Sequence, residues 1–141
     1  MEKFPYVLFG DVEAAVIEII SDAPEVSGFS GGAPTVTTTL DGFIIGSRWI
    51  IVSAEGGSFQ SPVIRRSRID IQVFAETRSV ASDLCEIILA VLFREQGQPS
   101  PNHGLRIHKH RLEAGPVRAD DKLNDAPRYV MSLRTHYRPY S

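Results

Sequence analysis

The clearest hydrophobic pattern in the chain is a strict alternation that passes into helical spacing, in RRSRIDIQVFAETRSVASDLCEIILAVL, residues 65–92. Apolar residues recur at every second position in its first half, which predicts a strand with one buried face. The predicted buried positions are Ile69, Ile71, Val73 and Ala75, and the predicted exposed positions are Arg68, Asp70, Gln72, Phe74 and Glu76. The segment holds no nucleophile and no group of metal ligands, so it predicts architecture.

Two segments have the apolar spacing of amphipathic helices. The first begins at Asp11, a favourable N-cap residue, and ends before Pro24, because the residue ahead of a proline resists the helical region. The second begins at Thr77 or Ser79 and is stopped at Gly97. The apolar faces consist of Val12, Ala15, Val16, Ile19 and Ile20 in the first helix and Val80, Leu84, Ile87, Ile88, Val91 and Leu92 in the second. We expect the second helix to contribute most to the core.

Four other segments are rich in the residues that favour strands. They are TVTTTLDGFIIG (35–46), with a possible turn at Asp41-Gly42, SRWIIVSA (47–54), LRIHKHRLEA (105–114) and RYVMSLRTHYR (128–138), the last with Tyr129, Met131, Leu133 and Tyr137 inward. EGGSFQSP (55–62) is interpreted as a flexible connection. The pattern predicts an α+β fold with two layers, a mostly antiparallel β-sheet with two helices packed on one face. The length fits a single domain, residues 1–141.

The composition is that of a globular protein, with 43% hydrophobic and 23% charged residues. A net charge of -2 gives no general attraction to nucleic acid or to an anionic membrane. Cys85 lies within an apolar helical pattern, which indicates core packing. The longest apolar run, 87–93, is far shorter than a membrane span needs, and no signal peptide is recognised. We expect synthesis in the cytosol and no membrane partner.

The charges are unevenly distributed along the chain. Residues 1–47 contain one basic and seven acidic residues, a net of -6, whereas residues 48–141 contain 14 basic and 10 acidic residues, a net of +4. If the two parts lie on different surfaces, copies could associate head to tail and close into a ring. Chance segregation of charge is the alternative interpretation.

The sharpest candidate for chemistry is HGLRIHKHR, residues 103–111. In a regular strand, His108 and His110 would share a face about 6.7 Å apart, a spacing that some metal sites use, and His103 and Glu113 could add ligands. A small metal-dependent enzyme is therefore one alternative. Arg106 would share that face, which disfavours a bound cation. Since no common catalytic motif occurs, we expect no enzyme, no catalytic residue and no cofactor.

A second alternative is a nucleic-acid-binding module that uses an arginine-rich sheet face. Arg65, Arg66 and Arg68 form a short run of basic residues, and Phe74 could stack on bases beside them. Asp70 interrupts this face, and mixed charges of this kind are more typical of a contact with protein or water.

Three segments, in the same order, resemble the tail terminator proteins of long-tailed bacteriophages, especially those of actinobacterial hosts. They are DVEAAVIEII, RIDIQVFAETRSVASDLCEIILAVL and EAGPVRADDKLNDAPRYVMSLRTHYRP. The shared features are a D-V-E helix start, a D-x-x-V-[FW]-A strand end that leads into an A-x-x-L helix, and a closing R-Y strand with an arginine at its end. The resemblance covers most of the chain.

The resemblance implies an α+β subunit of a homohexameric ring on the last ring of the tail tube protein. The ring would end tube polymerisation and offer its other side to the head-completion, or connector, proteins. DNA would pass through the lumen without specific binding. The protein would be assembled in the host cytoplasm and located in the virion, at the head-proximal end of the tail.

Two groups of residues are predicted to contact a neighbouring subunit or the tube. One is the connection Glu55, Gly56, Gly57, Ser58, Phe59 and Gln60, and the other is the polar strand face Arg66, Arg68 and Asp70. Because Gly56, Gly57 and Pro62 flank an otherwise exposed Phe59, we expect the connection to be disordered in the free subunit and to become ordered on contact with a neighbour.

Overall fold

The fold consists of three helices and six strands, in a computed structural model that describes residues 11–61, 64–119 and 126–139, without the side chains of 57–61. The helices are α1 (Val12–Asp22), α2 (Pro24–Ser27) and α3 (Arg78–Arg94). The strands are β1 (Thr35–Thr37), β2 (Trp49–Ser61), β3 (Ile64–Phe74), β4 (Pro99–Ser100), β5 (Leu105–Arg118) and β6 (Arg128–Pro139). A 3-10 turn, Pro101–His103, lies between β4 and β5.

The strands form one sheet in the order β1-β2-β3-β6-β5-β4. β1 and β2 pair in parallel, and every other neighbouring pair is antiparallel. The α+β prediction with a mostly antiparallel sheet is confirmed. The sheet is curled into a half-barrel rather than flat, so the two-layer description holds only approximately.

The core lies between the inner face of the sheet and the long helices α1 and α3. The alternation predicted for β3 is confirmed, since Ile69, Ile71, Val73 and Ala75 are all at most 1% exposed. The predicted helix faces also enter this core, with Leu84 and Ile88 fully buried. Each such side chain stabilises the fold by about 1.5 to 3 kcal/mol relative to an exposed one.

Both predicted helix starts are confirmed by their capping bonds. The Asp11 carboxylate accepts a hydrogen bond of 3.0 Å from the backbone N–H of Ala14, and the Thr77 hydroxyl accepts one of 3.2 Å from Val80. These bonds satisfy backbone donors that have no partner inside the helix. α1 ends before Pro24 as predicted, but Pro24 then begins the short α2, because a proline suits the first helical position.

The predicted hairpin of 35–46 and 47–54 is wrong. Within 35–46, only Thr35–Thr37 forms a strand, and it pairs in parallel with β2. A tight turn at Asp41-Gly42 cannot produce this arrangement, because a tight turn joins antiparallel strands. Residues 38–48 form a loop instead. The Trp49 indole N–H donates a 2.8 Å hydrogen bond to the carbonyl of Thr39, which fixes this loop against the start of β2.

The predicted flexible connection at 55–62 is also wrong as far as Ser61. β2 continues through it, paired with β3, so Glu55 lies opposite Arg68 and Ser58 opposite Arg66. The paired glycines mark a register shift between Glu55 and Ser58, with Gly56 at φ 39°, and therefore a bulge within a strand. Pro62 and the side chain of Phe59 lie outside the described residues.

Phe74 is buried, against the prediction that it faces water. It is 1% exposed and lies under Phe43 of the 38–48 loop, with ring centroids 4.9 Å apart. Ile51 and Ala126 complete a small second core on the side of the sheet opposite the helices. The alternation of β3 cannot reveal this core, because a distant loop covers that end of the strand.

Candidate assembly surfaces

The sheet has an outer face, defined as the side opposite α1 and α3. None of the described helices packs on this face. The small core around Phe74 is covered by Phe43 of the 38–48 loop. The side chains of the outer face come from alternate positions of β2, β3, β6 and β5, which the antiparallel register places in rows across the sheet. These rows carry most of the predicted contact residues.

Three of those residues, Glu55, Arg68 and Asp70, are brought together on the outer face. The Arg68 guanidinium lies 3.0 Å from a carboxylate oxygen of Asp70 and 3.5 Å from one of Glu55. Burial alone would raise the pKa of Asp70, but hydrogen bonds from Arg68 and from the Ser132 hydroxyl lower it. Arg68 is therefore paired within its own subunit. A substitution of Arg68 would break these pairs, so its effect on association would not by itself show a contact with a partner.

The fourth residue, Arg66, belongs to a basic cluster that we define as Arg66, His108, Lys109, Arg134 and His136. Arg66 and Lys109 are the register neighbours of His136 on either side. Burial lowers the pKa of His136, and the positive charges of Lys109 and Arg66 lower it further, with smaller contributions from His108 and Arg134. The cluster is continued by Arg106, Arg111 and Arg138 on β5 and β6. Arg134 also lies 3.1 Å from an acid, Glu113.

The remaining predicted contact residues follow one another along β2. Gly56 lies at the bulge, Ser58 is opposite Arg66, and Phe59 is opposite Arg65. Gly57 and Gln60 are part of the same strand. The structure thus brings their backbone beside the basic cluster, while the side chains of residues 57–60 lie outside the described part.

The proposed pairing of His108 and His110 as metal ligands is wrong. A register shift between Ile107 and Lys109 inverts the alternation of β5, so His108 is exposed whereas His110 is only 6% exposed. The imidazole Nδ1 of His110 lies 2.9 Å from the Thr135 hydroxyl, and burial lowers the pKa of His110 to about 4. His103 contacts Glu18 instead. Within the described ranges, no group of three or more potential ligands could hold a metal ion.

The predicted stacking platform for nucleic acid is not formed either. Phe74 is buried beneath Phe43, and Arg68 is engaged by Asp70. Arg65 alternates with Arg66 and shares the inner phase of β3 with the buried Ser67. The arginines that follow one another in the sequence therefore do not form one surface.

The loop 38–48 carries an apolar tip, defined as Leu40, Ile44 and Ile45, which are 47%, 72% and 57% exposed. The tip is ordered by its own backbone, since the Ser47 N–H donates a 2.9 Å hydrogen bond to the carbonyl of Ile44. Phe43, between these residues, anchors the loop on Trp49. Two adjacent isoleucines in a fixed, exposed position are typical of a protein contact.

The charge asymmetry of the sequence becomes a difference between layers of the fold. The six strands contain ten basic and three acidic residues, a net of +7, whereas the three helices contain two basic and six acidic residues, a net of -4. The outer face of the sheet and the helix layer therefore have opposite signs.

No protein-family model and no curated protein matches this chain. The fold and its surfaces are thus the basis for a proposal about function.

None of the helices in the described ranges combines the length and the apolar composition that a crossing of the bilayer requires.

Proposed function

We propose that the chain is the subunit of a ring that caps a phage tail tube, ends its polymerisation and forms the surface to which the head-completion proteins join. The observation that carries this proposal is the separation of charge between the helix layer and the sheet. A ring subunit needs two unlike, complementary surfaces, because repetition of the contact between them closes a ring when the rotation permits. The α+β fold is the one that the resemblance to tail terminators implies.

Two groups of reactive type, His110 and Cys85, are used in packing, which is compatible with a structural role. His110 is buried against Thr135, and burial raises the pKa of the Cys85 thiol to about 12. A thiol with such a pKa does not form a nucleophilic thiolate at neutral pH.

The proposed partners are further copies of the chain, in a hexameric ring, the tail tube protein and the connector. DNA passes through the lumen of this ring without specific binding. The ring is assembled in the host cytoplasm and stays in the virion at the head-proximal end of the tail.

A nonsense codon at Glu13 tests the function directly. Without a cap the tube end stays open, and tube subunits continue to add because each new ring satisfies the contacts of the last. We expect electron micrographs of lysates to show tails of irregular, excessive length and heads without tails. A silent change at the same codon is the control. Tails of normal length joined to heads would rule out the terminator proposal.

The apolar tip gives a second test, with Ile44→Ser and Ile45→Ser combined. Because both side chains are exposed, the free energy of unfolding should change by no more than about 0.5 kcal/mol, while assembly into rings should weaken. Urea unfolding and sedimentation velocity measure the two effects. Ile50→Ser, at a fully buried position, is the control that should lose stability. Unchanged assembly of the double variant would mean that the tip lies outside the contacts.

A further inference from the structure

We propose that the basic cluster of the outer face docks on the acidic helix layer of a second copy of this chain, so that copies associate head to tail. The inference rests on the proposed function, because it names the contact that builds the ring. On the receiving side lies a cleft between α1 and the connection from α3 to β4, with a volume of about 200 Å³.

The outer face presents two cations, Lys109 and Arg111, that no described acid neutralises. Both side chains are exposed. They lie beside Arg66 and Arg134, so like charges repel one another in the isolated subunit. Carboxylates from a partner would relieve this repulsion, which is a gain that only association supplies.

The cleft on the helix layer is suited to a lysine or arginine side chain. Its lining combines the carboxylates of Glu18, Asp22 and Glu95 with the guanidinium of Arg94 and with apolar walls that include Ile19 and Pro99. Glu18 contacts His103 and Glu95 lies 3.6 Å from Arg94, so Asp22 is the lining carboxylate without an ion pair to a described residue. Long basic side chains pack their aliphatic stems on apolar surface while the charged end meets an acid. Asp22 is also exposed.

The placement of the two charges decides the symmetry of the contact. A two-fold dimer would bring each surface against its own copy, with cations facing cations. Because the basic cluster and the cleft lie on opposite layers of one subunit, their contact is heterologous, and its repetition forms a ring when the rotation closes. This geometry agrees with a ring rather than a simple dimer.

A protein partner fits the outer face better than a nucleic acid does. The carboxylates of Glu55, Asp70 and Glu113 stand among its cations and would repel phosphates. Phe74, the predicted stacking residue of this face, is buried and cannot stack on bases.

A charge-swap experiment tests the contact. The sheet variant carries Lys109→Glu and Arg111→Glu, and the helix variant carries Asp22→Lys and Glu95→Lys. We expect each variant alone to associate at least about tenfold more weakly than wild type at low salt, since attraction becomes repulsion. An equimolar mixture of the two should regain association, because each then meets a complementary partner. Sedimentation velocity measures this, and Asp83→Lys, an exposed acid of α3 outside the cleft, is the control that should leave association unchanged.

Three results would overturn the proposal. Wild type could stay monomeric at its highest soluble concentration, or both variants could associate as wild type does, or the mixture could fail to regain association. A short DNA duplex in a fluorescence anisotropy titration covers the rival partner. Duplex binding that the sheet variant loses, together with no association of copies, would assign the face to nucleic acid. The phage lysate experiment is independent, since normal tails would reject the terminator proposal while leaving a charge-swapped contact intact.

Discussion

Acidification from pH 7 to about pH 4.5 is expected to destabilise the wild-type protein by roughly 2.5 kcal/mol more than the His110→Asn variant. Burial lowers the pKa of His110 from 6.5 to about 4 in the folded protein. In the unfolded chain the imidazole regains its ordinary pKa. Between about pH 6.5 and pH 4, the imidazole is therefore protonated in the unfolded state but stays neutral in the folded state. The free energy of unfolding falls as the pH falls through this window.

The measurement is the free energy of unfolding in urea across this pH range. The variant loses the hydrogen bond to Thr135 and will be less stable at neutral pH, so the pH dependence, not the absolute stability, carries the test. His108→Asn is the matched control, because His108 lies two residues away and is exposed. Equal pH dependence in wild type and His110→Asn would mean that the folded protein accommodates the protonated imidazole.

The segments best predicted from the sequence are those whose environment repeats regularly. β3 lies between two long antiparallel neighbours, β2 and β6, so its alternation of apolar and polar residues is kept over most of its length. The N-caps at Asp11 and Thr77 depend only on residues within one turn. Local physical chemistry is enough for such features.

The errors arise where a distant segment or one extra residue decides the outcome. The bulge after Ile107 places His108 and His110 on different faces of the sheet, and no residue type in that stretch predicts a bulge. Arg48 is another example, because its guanidinium binds the carboxylate of Glu76 and the carbonyls of Ser30 and Gly32. That contact joins three separate parts of the chain, and hydrophobic periodicity carries no information about it.

The basic cluster was only partly predictable for the same reason. The polar face of β3 predicts Arg66 as a contact residue, and the sequence shows an excess of basic residues after residue 47. The cluster itself requires the order β3-β6-β5, which places Lys109 and Arg134 around His136 although they are distant from Arg66 in the chain. Sequence composition gives the sign of the charge, and strand order gives its location.

Gly115→Ala is expected to lower the free energy of unfolding by about 3 kcal/mol, against about 1 kcal/mol for the control Gly97→Ala. Both glycines have a positive φ, 86° and 85°, so both substitutions strain the backbone. A Cβ at Gly97 meets no atom within 4 Å, whereas one at Gly115 lies 2.5 Å from the carbonyl oxygen of Val130. The overlap is with the backbone of β6, which cannot rotate away as a side chain can.

The effect of Gly115→Ala should also reach the outer face, because Gly115 lies within the register shifts that align β5 with β6. Relief of the overlap requires the two strands to separate, which moves Lys109 and Arg111 relative to Arg134. We therefore expect the variant to lose association of copies at temperatures where it is still folded, while Gly97→Ala keeps it. Urea unfolding and sedimentation velocity of the two variants provide the comparison. Equal losses of stability would show that β6 yields to the added methyl group, and the close approach of the two strands would then be unimportant for the fold.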